Sequence, residues 1–401
     1  MKITPYSKNA KKHPKKQVEQ VAASIKEFGM NQPIVVDKQG VIIVGHGRYE
    51  AMKHLGWSEE EILKHAKVVE LTEDQAKSYR LADNKLNESD WDMSLVIEEL
   101  KGLTPELLDL TGFEKDLIIE PDEKDDEVPE TPEEPKSKLG DLYELGRHRV
   151  LCGDSTKLED VERLMDGKKA DLSFTSPPYN VGHNVGYEGK ESKYANSDDN
   201  LSDYKELITD TTRIALDNAK DVFVNLQILA NNKKDILLWL AELVDVFKDI
   251  FFWKKQTAQP AMAENVANSQ TELILLFGAE NQSRSWGNHR FRGTFSNLLE
   301  TKSASGENKN AKIHNATYPV DLPLKFLVEG YKQGSIVLDL FLGTGTTLIA
   351  SEKTGRICYG MELDPKYVDV IVQRYVDYTG NENIKLNGED IVWKKSEKKT
   401  A

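Results

Sequence analysis

Apolar positions recur along the 401-residue chain with two periods, and the period changes at definite places. Over residues 17–28, Val18, Val21, Ile25 and Phe28 fall at helical spacing, and Gly29 follows as a helix stop. Pro33-Ile34-Val35-Val36-Asp37 and Val41-Ile42-Ile43-Val44 read as two short strands about a Lys-Gln-Gly turn. A helix is expected from residue 47 to about 55, with further helices over 72–86 and 92–101. From residue 139 strands and helices alternate. Strands are expected at 141–145, 148–152, 170–174, 221–226, 249–253, 271–277, 335–340 and 356–360. Helices are expected at 156–166, 202–219, 231–246, 321–331, 345–353 and 365–378. That alternation predicts an α/β unit with a mainly parallel sheet covered on both faces. Two long polar stretches, 180–200 and 280–315, fit neither period, and such loops tend to carry function.

The segment 120–138, EPDEKDDEVPETPEEPKSK, combines prolines and acids with almost no apolar content. It reads as an interdomain linker, because it lacks the side chains to build a core. The expected organisation is therefore a compact α/β unit at 1–119, an acidic linker at 120–138 and a second unit at 139–395. The last residues read as a frayed basic tail.

Charge sharpens this picture. The chain carries 53 Lys and Arg against 67 Asp and Glu, a net charge of −14. A polyanion partner is disfavoured by that total, since nucleic-acid binding needs local positive charge. However, the linker alone holds nine acids against three lysines. The first 16 residues hold six lysines and no acid, and the stretch 281–313 holds six basic residues against two acids. Contact with DNA is thus expected at a few basic patches. No apolar run is long enough for a membrane span, and the N-terminus has no apolar signal region. Two cysteines, Cys152 and Cys358, exclude a disulfide framework and a CxxC metal site, so a reducing cytoplasm and no bound metal are expected.

Two motifs far apart in sequence carry candidate chemistry. Val337-Leu338-Asp339-Leu340-Phe341-Leu342-Gly343-Thr344-Gly345-Thr346-Thr347 is a strand entering a Gly-rich turn and then a helix. Its glycines let the backbone approach a ligand, and the helix start offers free N–H groups. Glu362 ends the next strand, where an acid can accept ribose hydroxyls. Leu348 stands where a third glycine would serve a pyrophosphate, so a nucleoside cofactor without phosphates fits better. The second motif, Ser176-Pro177-Pro178-Tyr179, follows the strand at 170–174. Its prolines fix φ and remove donors, leaving a rigid turn rich in acceptors beside an aromatic ring. Such a turn suits a planar group that carries an amino function.

Together these residues resemble the amino-group DNA methyltransferases, which use S-adenosyl-L-methionine to methylate an exocyclic base nitrogen. Gly153-Asp154-Ser155 resembles the family's short acidic motif, and Ser176 to Tyr179 its catalytic loop. Trp253-Lys254 and the strand from Glu272 to Phe277 resemble its later strands. His314-Asn315-Ala316-Thr317-Tyr318-Pro319 resembles the element before the cofactor strand. The catalytic motif precedes the cofactor turn, which matches the permuted beta order. The resemblance implies a Rossmann-like catalytic domain acting on a base flipped out of double-stranded DNA. It implies cofactor contacts from Asp154, Asp339, Phe341, Gly343, Gly345, Thr346, Thr347 and Glu362. Catalysis falls to Ser176, Pro177, Pro178 and Tyr179. Cytosine N4 is favoured over adenine N6, because Ser-Pro-Pro-Tyr goes more often with cytosine in the family. Arg284, Arg290, Arg292 and Lys302, interleaved with aromatic residues in the basic stretch, are the expected DNA contacts.

In the first unit, Gly45-His46-Gly47-Arg48 lies between a strand and a helix and can cradle a phosphate, with Arg48 as the clamp. With Gln32-Pro33-Ile34-Val35-Val36 before it and Arg80-Leu81-Ala82-Asp83-Asn84 after it, the segment resembles ParB-like domains of the small α+β ParB/sulfiredoxin fold. That resemblance implies a nucleotide or DNA ligand. Joining this domain to a methyltransferase resembles proteins of phages and prophages. The reading is a DNA methyltransferase, as a monomer or homodimer. The alternatives are a nucleotide-gated DNA-binding protein with a vestigial methyltransferase domain, and a methyltransferase acting on RNA or protein.

Overall fold

The computed structural model describes residues 1–86, 91, 93–113, 115–180, 202–259, 265–278, 283–287, 295–301 and 318–395. The chain divides into two units, Met1–Ile118 and Ile119–Ala401.

The first unit contains helices α1 (Lys15–Phe28), α2 (His46–His54), α3 (Glu59–Lys64), α4 (Glu73–Leu86), α5 (Met93–Lys101) and α6 (Pro105–Thr111). Its sheet joins β1 (Ile34–Val36), β2 (Ile42–Val44) and β3 (Ala66–Val68) in the order β2-β1-β3. β1 runs antiparallel to β2 and parallel to β3. Ile3, Ala22, Ile25, Ile34, Val36 and Ile42 are among the side chains that close its core. Phe28, expected on the apolar face of α1, is exposed, because the helix ends there and Gly29 turns the chain away at φ 79°.

The second unit is built on an 11-stranded sheet. Its strands are β4 (Leu142–Leu145), β5 (His148–Cys152), β6 (Ala170–Thr175), β7 (Ala219–Leu226), β8 (Phe247–Gln259), β9 (Ser269–Gly278), β10 (Leu298–Glu300), β11 (Ile336–Asp339), β12 (Ile357–Glu362), β13 (Asn383–Leu386) and β14 (Glu389–Val392). Helices α7 (Leu158–Met165), α8 (Tyr204–Asn218), α9 (Lys233–Glu242), α10 (Asp321–Gly330), α11 (Thr346–Lys353) and α12 (Pro365–Thr379) accompany it. The order is β10-β8-β9-β7-β6-β11-β12-β5-β4-β13-β14. The strands from β7 to β5 pair in parallel, as the alternating pattern predicts. Antiparallel pairings extend the sheet on both sides, and β10 ends one edge in parallel with β8. β6 and β11 are neighbours although α8, α9 and several strands separate them in sequence, so the chain reverses its direction of winding between them. Ligands of open α/β sheets bind at the carboxyl ends of strands beside such a reversal.

The acidic stretch departs from its expected role as a free linker. A 3-10 helix at Glu123–Asp126 is built into the second unit. Asp125 is buried and pairs with Lys353 Nζ at 2.8 Å, and Asp126 Oδ1 accepts from the Val320 backbone N–H. Arg374, also buried, donates to the Asp125 carbonyl at 2.7 Å and to the Thr344 carbonyl at 2.9 Å. Further along, the N–H groups of Lys136 and Ser137 donate to Asp369. Apolar content is not what anchors this strap. Its carboxylates and carbonyls are partnered by the buried Arg374, the half-buried Lys353 and backbone donors.

Candidate active site

The carboxyl ends of β5, β12, β11 and β6 lie side by side and place the sequence-selected residues in one row. Asp339 ends β11 and is fully buried. Its Oδ1 accepts from Thr175 Oγ1 at 2.8 Å and from the Phe341 N–H at 3.0 Å. The Tyr318 hydroxyl reaches its Oδ2 at 3.4 Å and Thr347 Oγ1 at 2.8 Å. One carboxylate therefore joins the end of β6, where Ser176 follows, to the Gly-rich turn. Gly345 caps α11 at φ 85°, a left-handed conformation that costs other L-residues about 1–2 kcal/mol. Glu362, at the end of β12, receives the Gly343 N–H at 2.9 Å and the Asp364 N–H at 2.9 Å. The Gly153 N–H donates to the Glu362 carbonyl, which brings Asp154 to the same edge. Asp154 Oδ1 accepts from Thr156 N and Oγ1.

Burial pushes the carboxyl of Asp339 up to about 6 and that of Glu362 up to about 7. The folded state therefore holds protons that the unfolded chain has released. The stability these two groups contribute is full below pH about 4 and is lost as pH rises through 6 to 7. The denaturant midpoint of the wild type is expected to fall between pH 5 and pH 8 more steeply than that of an Asp339→Asn, Glu362→Gln double variant. Equal slopes in parallel urea titrations would refute this.

At the end of β6, Ser176 Oγ lies 3.1 Å from the Asn225 carbonyl and 3.2 Å from the Tyr179 hydroxyl. The Tyr179 hydroxyl donates to Glu272 Oε2 at 2.8 Å and accepts from Asn225 Nδ2 at 2.8 Å. Asn225 Nδ2 also donates to Glu272 Oε2, and Lys255 Nζ pairs with Glu272 Oε1. Asn232 Nδ2 holds the Tyr179 carbonyl at 2.7 Å. Burial first, and Glu272 second, hold the Tyr179 hydroxyl well above its ordinary range, so it stays protonated. Sequence reasoning missed Asn225, Asn232 and Glu272. A lone acid at the head of the apolar run from Leu273 to Phe277 was the available signal.

Of the expected DNA contacts, Arg290, Arg292 and Lys302 lie outside the described residues. Arg284 is exposed and pairs with Asp249 at 2.9 Å. Trp286 and Phe295, two of the aromatic residues interleaved in the basic stretch, pack around Phe326. Indole and phenyl surface from that loop thus completes the core beside α10. Cys152 and Cys358 are free and buried, and burial raises both thiols. Among the described residues no group of three or more His, Cys, Asp or Glu could hold a metal ion, and no helix is long and apolar enough to cross a membrane.

In the first unit, the Gly45-His46-Gly47-Arg48 turn borders a cavity of about 210 Å³, together with Lys11 and His13 from the basic N-terminus and Asp83-Asn84 from α4. The His13 ring lies 3.0 Å from where a Cβ on Gly47 would be. Arg48 Nη1 donates to Gln32 Oε1 at 2.7 Å. His46 departs from a phosphate-facing role. Its Nε2 accepts from the Tyr6 N–H at 3.2 Å, and burial, with Arg80 nearby, lowers it to about 4. Positive charge at the turn therefore comes from Arg48 and Lys11.

The DNA methylase family model matches residues 170–373, about half of the chain. The chain belongs to that family. The matched segment of this DNA methylase family member contains the Ser176 loop, Asp339, the Gly-rich turn and Glu362, while Asp154 precedes it. The ParB N-terminal domain model matches residues 2–85. Curated relatives include the ParB-like nuclease domain-containing protein YnaK of Escherichia coli (strain K12), 45% identical over 53 residues, 13% of this chain and 61% of that protein. Type II methyltransferase M.MthZI of Methanothermobacter thermautotrophicus is 39% identical over 84 residues, 21% of this chain and 22% of that protein. The chain thus spans less than two thirds of each of these relatives. The solved structure of PvuII DNA methyltransferase (cytosine-N4-specific) aligns with a TM-score of 0.44 and 17% identity, over 59% of this chain and 90% of that one.

Proposed function

We propose that the protein transfers the methyl group of S-adenosyl-L-methionine to the exocyclic amino group of a base flipped out of duplex DNA, with cytosine N4 preferred to adenine N6. The observation that carries this reading is the placement of the Ser176 loop and the Gly-rich turn at the ends of adjacent parallel strands, joined by Thr175 and Asp339. Two reactants bound at neighbouring strand ends meet without rearrangement of the scaffold.

The chemistry of these strand ends suits a nucleoside without phosphates better than a nucleotide. Asp154, Glu362 and the buried Asp339 are acceptors for hydroxyl and amino groups, and Leu348 fills the place of a third glycine. When bound, the cofactor supplies an electrophilic sulfonium methyl. The amino lone pair of cytosine or adenine is delocalised into its ring and is a poor nucleophile. Ser176 Oγ and the Pro177 carbonyl accept its two protons and favour a pyramidal nitrogen whose lone pair is free to attack. These acceptors are fixed by the prolines before charge develops, which is the economical form of electrostatic catalysis. Extrusion of the base costs a few kcal/mol. The ParB-like unit supplies a second ligand site, where Arg48, Lys11 and the start of α2 receive the phosphates of a nucleotide.

Transfer of labelled methyl from the cofactor to duplex DNA tests the reading. The wild type labels DNA, and Ser176→Ala lowers the rate at least tenfold with cofactor affinity retained. Absence of wild-type transfer to any duplex overturns the proposal. Digestion of the product to nucleosides decides the base: N6-methyladenine without N4-methylcytosine overturns the cytosine preference.

A further inference from the structure

The methylated amino nitrogen must lose a proton, and the strand ends beside Ser176 hold a continuous path for it. Resting on the reading above, we propose that this proton leaves through Ser176 and Tyr179 to Glu272. Ser176 Oγ lies 3.2 Å from the Tyr179 hydroxyl, which in turn lies 2.8 Å from Glu272 Oε2. The side chain of Glu272 is 5% exposed, and that of its partner Lys255 is 21% exposed, so the path leads from a buried loop toward solvent.

The nitrogen lone pair forms the new N–C bond, and the C–S electrons stay on sulfur as the sulfonium becomes a neutral thioether. The nitrogen is left positively charged with an acidic N–H. Ser176 Oγ takes that proton while its own hydroxyl proton passes to the Tyr179 oxygen. The Tyr179 proton passes to the Glu272 carboxylate, which becomes a neutral acid. Water on the exposed side of Lys255 then takes the proton, and the ammonium favours return of the carboxylate. No group need ionise in isolation, because each hydroxyl gives one proton as it gains another. That suits a tyrosine whose anion is strongly disfavoured by burial.

The surrounding bonds hold the hydroxyls in this order. Asn225 Nδ2 donates both to the Tyr179 oxygen and to Glu272 Oε2, and the Tyr179 hydroxyl lies nearer that carboxylate, at 2.8 Å, than Ser176 Oγ, at 3.2 Å. Asn232 Nδ2 fixes the Tyr179 backbone through its carbonyl. In strand register, Asn225 pairs with Ile274 and Leu226 with Leu273, so β7 and β9 bring Asn225 and Glu272 to one end of the sheet. Glu272 touches no reacting atom. It acts through Tyr179.

Single-turnover methyl transfer to duplex DNA tests the path with the full-length protein. Tyr179→Phe keeps the ring and removes the relay hydroxyl. Glu272→Gln with Lys255→Met keeps an acceptor for Tyr179, removes its charge and avoids setting an amide donor against an ammonium. Each variant is expected to slow the chemical step roughly tenfold to a hundredfold, with DNA and cofactor affinity within about threefold of wild type, in the range of general acid–base effects. The triple variant is expected to be no slower than the slower of the two, since one path is lost only once. A wild-type rate in the Glu272→Gln, Lys255→Met variant, or losses that multiply in the triple variant, would overturn the relay alone. Failure of the wild type to methylate DNA would overturn the parent reading, and the relay with it.

Discussion

Asp339→Ala is expected to abolish measurable cofactor binding and methyl transfer, and to lower stability by roughly 2–5 kcal/mol. The carboxylate is fully buried and serves two loops at once. Without it the buried Thr175 hydroxyl and the half-buried Phe341 N–H lose this acceptor. Each such stranded group costs about 1–3 kcal/mol. Tyr318 is spared, because its hydroxyl also meets Thr347 Oγ1 at 2.8 Å. The functional loss is larger than the thermodynamic one. Phe341 opens the Gly-rich turn and Thr175 precedes Ser176, so both halves of the proposed site lose their common reference. Thr175→Ala separates the two effects. It leaves Asp339 in place and is expected to cost far less stability while still loosening the Ser176 loop. Titration calorimetry with the cofactor and urea denaturation check this, and cofactor binding by Asp339→Ala within threefold of wild type would refute it.

Arg374→Met is expected to be the most destabilising single change outside the strand ends, at about 3–5 kcal/mol. Arg374 is buried, and burial lowers its guanidinium to about 10. It is retained as a cation among Asp125, Asp126 and the carbonyls of Asp125 and Thr344. Methionine matches much of its volume but takes the guanidinium donors from the Asp125 and Thr344 carbonyls and leaves Asp126 without its compensating charge. Release of the strap should accompany the loss, so protease cleavage within residues 120–138 is expected to accelerate at temperatures where the sheet remains folded. Urea midpoints, and cleavage timed by mass spectrometry, read the two effects separately. A variant within 1 kcal/mol of wild type would show that the strap is only loosely held, against the loss of 3–5 kcal/mol expected for breaking such a pair.

The alternating pattern after residue 139 was legible because buried parallel strands and their covering helices have distinct periods. The row of motif residues was legible because glycine, proline and acid at strand ends have few structural uses. Other elements were overlooked although their signals were present. Ser58 and Glu61 form a capping box that begins α3, a signature carried by four consecutive residues. Asn387 and Gly388, both at positive φ, make the two-residue turn between β13 and β14. β3 offered no such signal, since its three residues Ala66, Lys67 and Val68 are largely exposed and gain their strand conformation from β1. Glu272 and Asn225 were beyond sequence reasoning as a pair. Their meeting depends on the register of β7 against β9, which a one-residue slip would destroy. The acidic strap was read correctly in composition and wrongly in consequence, because its partners, Arg374 and Lys353, lie more than two hundred residues away.

That strap also decides where the polypeptide can be cut. A fragment begun at residue 139, where the regular strand pattern starts, would keep the whole sheet and both motifs. It would nevertheless leave Arg374, Lys353 and the Val320 N–H facing water-filled space in place of Asp125 and Asp126. A stable fragment of the second unit is therefore expected to begin near residue 119, with the acidic residues as part of its body.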